Sequence, residues 1–246
     1  MESLRGKRVL VTGGGSRLGG MLSLGCARAG LQTAVHCHRS ADAAAGIAAQ
    51  IRNETGISEV FRADLSAPKG IETLLDEVTA SIGLPDFLVC AHAGYTEGTV
   101  LDTPWLTWRE ELRLTGASPL LLTRMWAARG AARGAAVFLL DARMTDNDRN
   151  HAAYHAAKRM LYSETRLAAL ALAPEIRINA AAPGLVLPPI GADAAFLEKA
   201  RAVAPLRRTG TPEALVDAVL FLLRSNFITG QVLFVDGGRH LCGSVY

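Results

Sequence analysis

Three side chains in one stretch of the chain, Asp141, Tyr154 and Lys158, have chemistry suited to proton transfer. Tyr154 and Lys158 are four residues apart, so on a helix they share a face and lie one turn from each other. An ammonium group at that distance favours the phenolate and should lower the pKa of the tyrosine. A tyrosine tuned in this way can act as a general acid near neutral pH. We therefore expect all three residues to be catalytic, and Asp141 and Tyr154 also to contact the substrate.

Asp141 comes thirteen residues before Tyr154 and adds a carboxylate to this group. Beside a reacting C=O, a negative charge would oppose the oxyanion that forms as hydride arrives, whereas beside a C=N it would stabilise the protonated iminium. The charge of Asp141 therefore favours imine reduction over ketone reduction. Two alternatives remain open: the pocket could keep Asp141 protonated as a donor, or Asp141 could simply cap a turn.

A glycine-rich segment, VLVTGGGSRLGG, follows the first apolar run and opens the first helical segment. Backbone N–H groups at such a turn bind the pyrophosphate of a dinucleotide, and glycine allows the close approach. The same segment could also be a tight strand-to-helix connection without a ligand. The residues expected to bind a cofactor here are Gly13, Ser16, Arg17, Leu18 and Gly19.

The second apolar run ends in HCHRS, which has no acidic residue to accept a ribose 2′-hydroxyl. Arginine binds phosphate through paired hydrogen bonds, so Arg17 and Arg39, with His38 and Ser40, are expected to bind the 2′-phosphate of NADPH or NADP+. Both arginines could instead be solvated surface charges. His36 and His38 share one face of a strand, but no third ligand is evident, and we predict no metal site.

Apolar runs alternate along the chain with segments of helical length and spacing. Runs near 8–12, 32–37, 87–91, 135–140, 176–182 and 231–236 are typical of buried strands, and segments 17–29, 41–54, 68–82, 104–129, 151–173 and 212–225 of helices. This alternation predicts an α/β fold: a Rossmann-type doubly wound parallel sheet of about seven strands, with helices on both faces. Residues 1–246 are expected to form a single domain.

Composition narrows the range of partners and locations. The 26 basic and 23 acidic residues are scattered along the chain, so a nucleic-acid partner is not expected. The four cysteines form no CxxC pair, as is typical of a reducing compartment. The first strand begins almost at the N-terminus, and no apolar run approaches the ~20 residues of a membrane span. We expect a cytoplasmic protein that does not bind membranes.

The order and spacing of several segments resemble the short-chain dehydrogenase/reductase family. They are Thr12–Gly19, ADLS at 63–66, Tyr154 with Lys158, RINAAAPG at 177–184 and FITGQVLFVDGG at 227–238. The resemblance implies that Lys158 holds the nicotinamide ribose. It also implies cofactor contacts at Asp64, Leu65, Ala91, Pro183 and Gly184, and assembly into a homotetramer through the long helices.

Within that family, Arg17 in the turn, HRS after the second strand and Asp141 in place of the usual serine resemble the pteridine reductase branch, which includes the dihydromonapterin reductases. This resemblance implies a pterin-like substrate, with Tyr95 either stacking on it or lying in an exposed loop. Segment 185–205 is expected to be a substrate loop, in which Leu187 contacts the substrate.

Two positions depart from the family pattern: Thr115 stands where many members carry a catalytic Asn, and CAHAG replaces NNAG after the fourth strand. We predict an NADPH-dependent reductase that transfers hydride to a C=N of a pterin or dihydropterin. The alternative is a carbonyl or cyclic-imine reductase of specialised metabolism. A third hypothesis is a non-catalytic NADP(H)-binding partner protein.

Overall fold

The computed structural model describes residues 2–15, 17–146, 148–188 and 194–242. The strands are β1 (Arg8–Thr12), β2 (Gln32–Cys37), β3 (Ser58–Arg62), β4 (Phe87–Cys90), β5 (Gly134–Leu139), β6 (Ile176–Pro183) and β7 (Val232–Val235). The helices are α1 (Arg17–Arg28), α2 (Ala41–Thr55), α3 (Pro68–Ile82), α4 (Trp105–Glu111), α5 (Ser118–Ala127), α6 (Ala152–Leu172), α7 (Ala194–Val203) and α8 (Pro212–Arg224). No helix of the described residues is long and apolar enough to cross a membrane.

All seven strands form one parallel sheet in the order β3-β2-β1-β4-β5-β6-β7. Every residue of β4 and β5 is buried, as expected where helices cover both faces of a parallel sheet. The strand order reverses between β1 and β4, which opens a crevice at their carboxyl ends. The predicted Rossmann-type doubly wound fold is therefore confirmed.

Strand β3 has no counterpart among the six apolar runs of the sequence. Its residues SEVFR are only partly buried, with Ser58 and Phe61 buried and Glu59 and Arg62 exposed, and the strand lies at the edge of the sheet beside β2. An edge strand exposes one side of its backbone and needs fewer apolar residues than a central strand. This composition explains why the apolar pattern did not reveal it.

The long helix expected over 104–129 is interrupted. A π-helical segment, Leu112–Ala117, joins α4 to α5. Pro119 has no N–H for the carbonyl group of Thr115, and its ring crowds that carbonyl, so a regular α-helical turn is disfavoured here. Such widened turns are frequent at functional sites. The segment places Thr115 against the loop that follows β4.

The predicted substrate loop 185–205 is partly wrong, because α7 (Ala194–Val203) occupies its second half. The proline and glycine residues before α7 led us to predict a loop throughout, although AAFLEKARAV consists mostly of residues that favour helices. Residues 185–188 follow β6 as irregular chain. Residues 189–193 of the predicted loop lie outside the described residues.

Candidate active site

Asp141 and Tyr154 meet at the carboxyl end of β5. The Tyr154 hydroxyl donates a hydrogen bond to Oδ2 of Asp141 at 3.0 Å. The other carboxylate oxygen, Oδ1, accepts the backbone N–H of Arg143 at 2.7 Å and so caps the short 3₁₀ helix Ala142–Thr145. Capping and contact with the tyrosine are therefore combined in one side chain, and the cap fixes the orientation of the carboxylate.

Lys158 is buried one turn along α6 from Tyr154. Its Nζ donates to the carbonyl oxygen of Leu139 at 2.6 Å and lies 5.6 Å from the centroid of the Tyr154 ring. Burial lowers the pKa of Lys158 to about 8, against the opposing effect of the carboxylates of Asp141 and Glu111. The ammonium group is thus held in place by β5.

The expectation that Lys158 lowers the pKa of Tyr154 is wrong for this arrangement. Burial of the phenol, followed by the negative charge of Asp141, raises the pKa of Tyr154 well above its usual value. A phenolate would lie directly against the Asp141 carboxylate. Tyr154 therefore holds its proton firmly until a basic acceptor arrives.

Tyr95 lies at the mouth of the site, where the sequence placed a substrate contact. Its ring stacks on that of His151 at 4.3 Å between centroids and meets the ring of Tyr154 edge-on at 5.0 Å. Tyr95 remains 62% exposed, so aromatic surface beside Tyr154 is open to a ligand. The stacking partner His151, whose Nδ1 lies 3.1 Å from Oδ2 of Asp148, was not identified from the sequence.

The glycine turn forms a cradle that side chains would fill. Gly13 has a φ of +64°, and a Cβ there would lie 2.8 Å from Cα of His92. A Cβ at Gly19 would lie 2.0 Å from the carbonyl oxygen of Gly13. These positions need glycine, and α1, which begins at Arg17, follows the turn in the chain. The cradle fits a dinucleotide pyrophosphate.

His36 supports this turn, a role that the sequence did not reveal. The backbone N–H of Gly13 donates to Nδ1 of His36 at 3.1 Å, so Nε2 carries the ring hydrogen and donates to the carbonyl oxygen of Ala63 at 3.1 Å. Burial lowers the pKa of His36 to about 4, which keeps the ring neutral. The sequence feature that could have indicated this role is a histidine in a buried strand that neighbours the glycine turn.

The residues expected to bind a 2′-phosphate lie around the end of β2. His38, Arg39 and Ser40 are exposed between β2 and α2. Arg17 is also exposed, and its guanidinium donates to the carbonyl oxygen of Pro188 at 3.0 Å, which joins the turn to segment 185–188. Ser16 lies outside the described residues.

The remaining predicted cofactor contacts line the same edge of the sheet. Asp64 is exposed after β3, and its Oδ1 accepts the backbone N–H of Ser66, which is the main reason that the pKa of Asp64 is lowered. Other predicted cofactor contacts are Ala91, whose N–H donates to the carbonyl oxygen of Thr12, the buried Leu65, the half-buried Leu18, and Pro183 with Gly184 at the end of β6. Leu187, which was predicted to contact the substrate, is half-buried in the chain that follows β6. The Leu65 side chain belongs to the core, which leaves only its backbone to reach a ligand.

The CAHAG segment contains a second buried histidine. His92 places Nδ1 2.6 Å from Oγ1 of Thr12 and Nε2 2.6 Å from Oγ of Ser118. Burial lowers the pKa of His92 to about 3. The neutral ring therefore connects the end of β1 to the start of α5.

Comparison with known proteins agrees with this architecture. The family model described as enoyl-(acyl carrier protein) reductase matches residues 18–240. A crystal structure of FolM alternative dihydrofolate reductase 1 from Brucella canis, complexed with NADP, is 29% identical and superposes with a TM-score of 0.90 over 97% of this chain and 96% of that chain. The Brucella suis protein, also in complex with NADP, is 30% identical, with a TM-score of 0.86 over 96% of this chain and 95% of that chain.

Curated relatives cover several reactions. The dihydromonapterin reductase of Escherichia coli is 32% identical over 75% of this chain and 78% of that protein. A Streptomyces violaceoruber protein, whose name assigns it to the granaticin polyketide synthase as a ketoacyl reductase, is 32% identical over 94% of this chain and 95% of that protein. Sequence, fold and site together show that this chain belongs to the short-chain dehydrogenase/reductase family and is similar to its pteridine reductase branch.

Proposed function

We propose that the protein is an NADPH-dependent reductase that transfers hydride to a C=N bond of a pterin or dihydropterin. The hydrogen bond from Tyr154 to Asp141 is the observation that carries this proposal. It places a proton donor and a carboxylate at the same point of the crevice. A carboxylate there stabilises a cationic iminium and opposes an oxyanion.

The raised pKa of Tyr154 supports the same choice of substrate. A phenol that releases its proton reluctantly is a poor donor to a weakly basic carbonyl oxygen, whereas an imine nitrogen is a much stronger base. Tyr154 would deliver its proton to the substrate nitrogen, with Asp141 holding the neighbouring N–H edge. The open ring surface of Tyr95 would stack on the flat heterocycle.

NADPH supplies the hydride when bound. The glycine turn would hold its pyrophosphate through Gly13, Leu18 and Gly19, and Lys158 would hold the nicotinamide ribose. The 2′-phosphate would contact Arg17, His38, Arg39 and Ser40. Further contacts are proposed for Ser16, Asp64, Leu65, Ala91, Pro183 and Gly184. The NADP of the two Brucella structures supports this choice of cofactor.

A carbonyl or cyclic-imine reductase is the second candidate. It is favoured by relatives whose names denote reactions at an oxygen-bearing carbon, the granaticin ketoacyl reductase and a glucose 1-dehydrogenase from Gluconobacter oxydans that is 28% identical over 98% of this chain and 95% of that protein. On this hypothesis Asp141 acts as a protonated donor to the carbonyl oxygen.

The test is NADPH consumption with dihydromonapterin, dihydrobiopterin, a cyclic imine and a ketone panel, for the wild type and for Asp141→Ser. We expect turnover of the dihydropterins by the wild type and its loss in the variant. Turnover restricted to ketones, or improved by serine, would favour the carbonyl reductase. Tight NADPH binding without any turnover would favour a non-catalytic partner protein.

We also propose a cytoplasmic homotetramer, as the family resemblance implies. Leu167 and Leu170 on α6 are 62% and 82% exposed, and contact between copies would cover them. Cys26, Cys37 and Cys90 are buried free thiols, which suits a reducing compartment.

A further inference from the structure

Both neighbours of Tyr95 are hydrogen-bonded to the interrupted central helix. The backbone N–H of Gly94 donates to Oγ1 of Thr115 at 2.8 Å. Thr96 donates to Oε2 of Glu111 twice, from its backbone N–H at 3.2 Å and from its hydroxyl at 2.6 Å. Tyr95 itself therefore lies between two anchored residues.

Glu111 joins these contacts into one network. Its other carboxylate oxygen accepts the hydroxyl of Thr115, and the residue is only 3% exposed. A buried carboxylate is costly unless donors surround it, and Thr115 and Thr96 supply those donors here. We call Gly94, Thr96, Glu111 and Thr115 the Glu111 clamp.

At Gly94, the loop that carries Tyr95 lies in close contact with the carboxylate of Glu111. A Cβ at Gly94 would lie 2.3 Å from Oε2 and 2.8 Å from Cδ of Glu111, both within the side chain that anchors the loop. The far end of the loop is fixed separately, because Gly98 exchanges backbone hydrogen bonds with Asn150 and Ala152 beside α6. Tyr95 thus has little freedom to move away from Tyr154.

We propose that Glu111 is a positioning residue: through the clamp it fixes the Tyr95 ring beside Tyr154 as a preorganised platform that selects flat aromatic substrates. The inference rests on the proposed function and identifies what sets its substrate class. A platform ordered before binding avoids the entropic cost of ordering it afterwards, so the clamp should act on KM more than on kcat. Thr96→Val loosens the clamp and keeps the charge of Glu111, so in this variant the chemistry at Asp141 and Tyr154 should be unaffected, whereas Glu111→Gln also removes a negative charge that raises the pKa of Lys158 and of Tyr154.

The experiment compares wild type, Glu111→Gln, Thr96→Val and Tyr95→Ala, with Glu110→Gln as a matched control on the exposed face of the same helix. Hydrogen exchange of segment 94–96 reports the clamp directly. Steady-state kinetics with a dihydropterin and with a small monocyclic imine report its effect. We expect faster exchange in Glu111→Gln and Thr96→Val and a rise of about 5- to 10-fold in KM for the dihydropterin. In Thr96→Val, which keeps the charge of Glu111, kcat should stay within about twofold.

The monocyclic imine, which offers no aromatic surface, should change by less than about twofold. Thr96→Val should add nothing in a Tyr95→Ala background, since both act through one ring. Unchanged exchange in Glu111→Gln, or an equal rise in KM for both substrates, would overturn the inference. If the wild type reduces no pterin, the proposed function fails, and the exchange rates still decide whether Glu111 positions Tyr95.

Discussion

Asp141 accepts two hydrogen bonds, one per carboxylate oxygen, from the Tyr154 hydroxyl and from the backbone of Arg143. The backbone contact fixes the plane of the carboxylate before any substrate arrives. The phenol contact then places a neutral donor beside a fixed negative charge. A substrate that accepts a proton and becomes cationic gains from both groups, which is the basis of the imine hypothesis.

Replacing Asp141 with Asn should separate the effect of its negative charge on catalysis from the effect of its capping hydrogen bond on stability. The amide oxygen can still cap the Arg143 N–H, so thermal stability should change little. Loss of the negative charge should lower kcat for dihydropterin about 100-fold or more. Steady-state kinetics and a melting curve check both parts. Wild-type rates in this variant would show that the carboxylate is only a cap.

Replacing Tyr154 with Phe removes the proton donor and keeps the buried ring. We expect kcat to fall about 100- to 10,000-fold, the range typical of a lost general acid, while NADPH affinity is retained. Cofactor titration and steady-state rates measure the two effects. Tyr162→Phe on the same helix is the control and should keep full activity.

The pH dependence of the reaction should report the ionisation of Lys158. Its ammonium form is the one proposed to hold the nicotinamide ribose, and its lowered pKa of about 8 means that this form is lost as the pH rises through that value. The kcat/KM for NADPH, which reports the free enzyme, should therefore fall about tenfold per pH unit on the alkaline side. In Lys158→Arg the guanidinium stays charged, so an alkaline limb that persists there unchanged would have another origin.

Cofactor choice should depend on Arg39. Arg39→Ala is expected to raise KM for NADPH about 10- to 100-fold and to leave KM for NADH nearly unchanged, because only NADPH carries the 2′-phosphate. Lys69→Ala, which removes an exposed positive charge from α3, controls for net charge. Equal effects on both cofactors would place the phosphate elsewhere.

Glu164 should make stability depend on pH. It is 8% exposed on α6, its Oε2 has no hydrogen-bond partner among the described residues, and burial raises its pKa from 4.5 to about 7. Between these pH values the folded state binds a proton that the unfolded state does not, so stability falls as pH rises. After allowance for solvent screening, Glu164→Gln should add about 1–2 kcal/mol above pH 7 and nothing below pH 4.5.

Melting temperatures across this pH range test the Glu164 prediction, with Glu77→Gln on the exposed face of α3 as control. The gain at high pH should be about 2–8 °C for a chain of this size. A gain that is equal at every pH would point to packing instead of ionisation.

Periodic features of the chain could be predicted from its sequence, and contacts between distant segments could not. Apolar runs located six strands, and cap signals located most helices to within a residue or two. The widened turn at Thr115 depends on Pro119, four residues later, which cannot donate to the Thr115 carbonyl group. The apolar spacing of this segment is that of a continuous helix, so it did not indicate the interruption. Similarly, the sequence gives no sign that Glu111 is buried, because its burial depends on contact with the loop that follows β4.

His36 links two parts of the proposed cofactor site through a single imidazole. Its ring holds the N–H of Gly13, and its strand ends two residues before Arg39. One strand, β2, would therefore position the contacts proposed for the pyrophosphate and for the ribose 2′-phosphate of a dinucleotide. Protonation of Nδ1 near pH 4 would remove the acceptor of the Gly13 N–H, so the glycine turn would lose this support from β2.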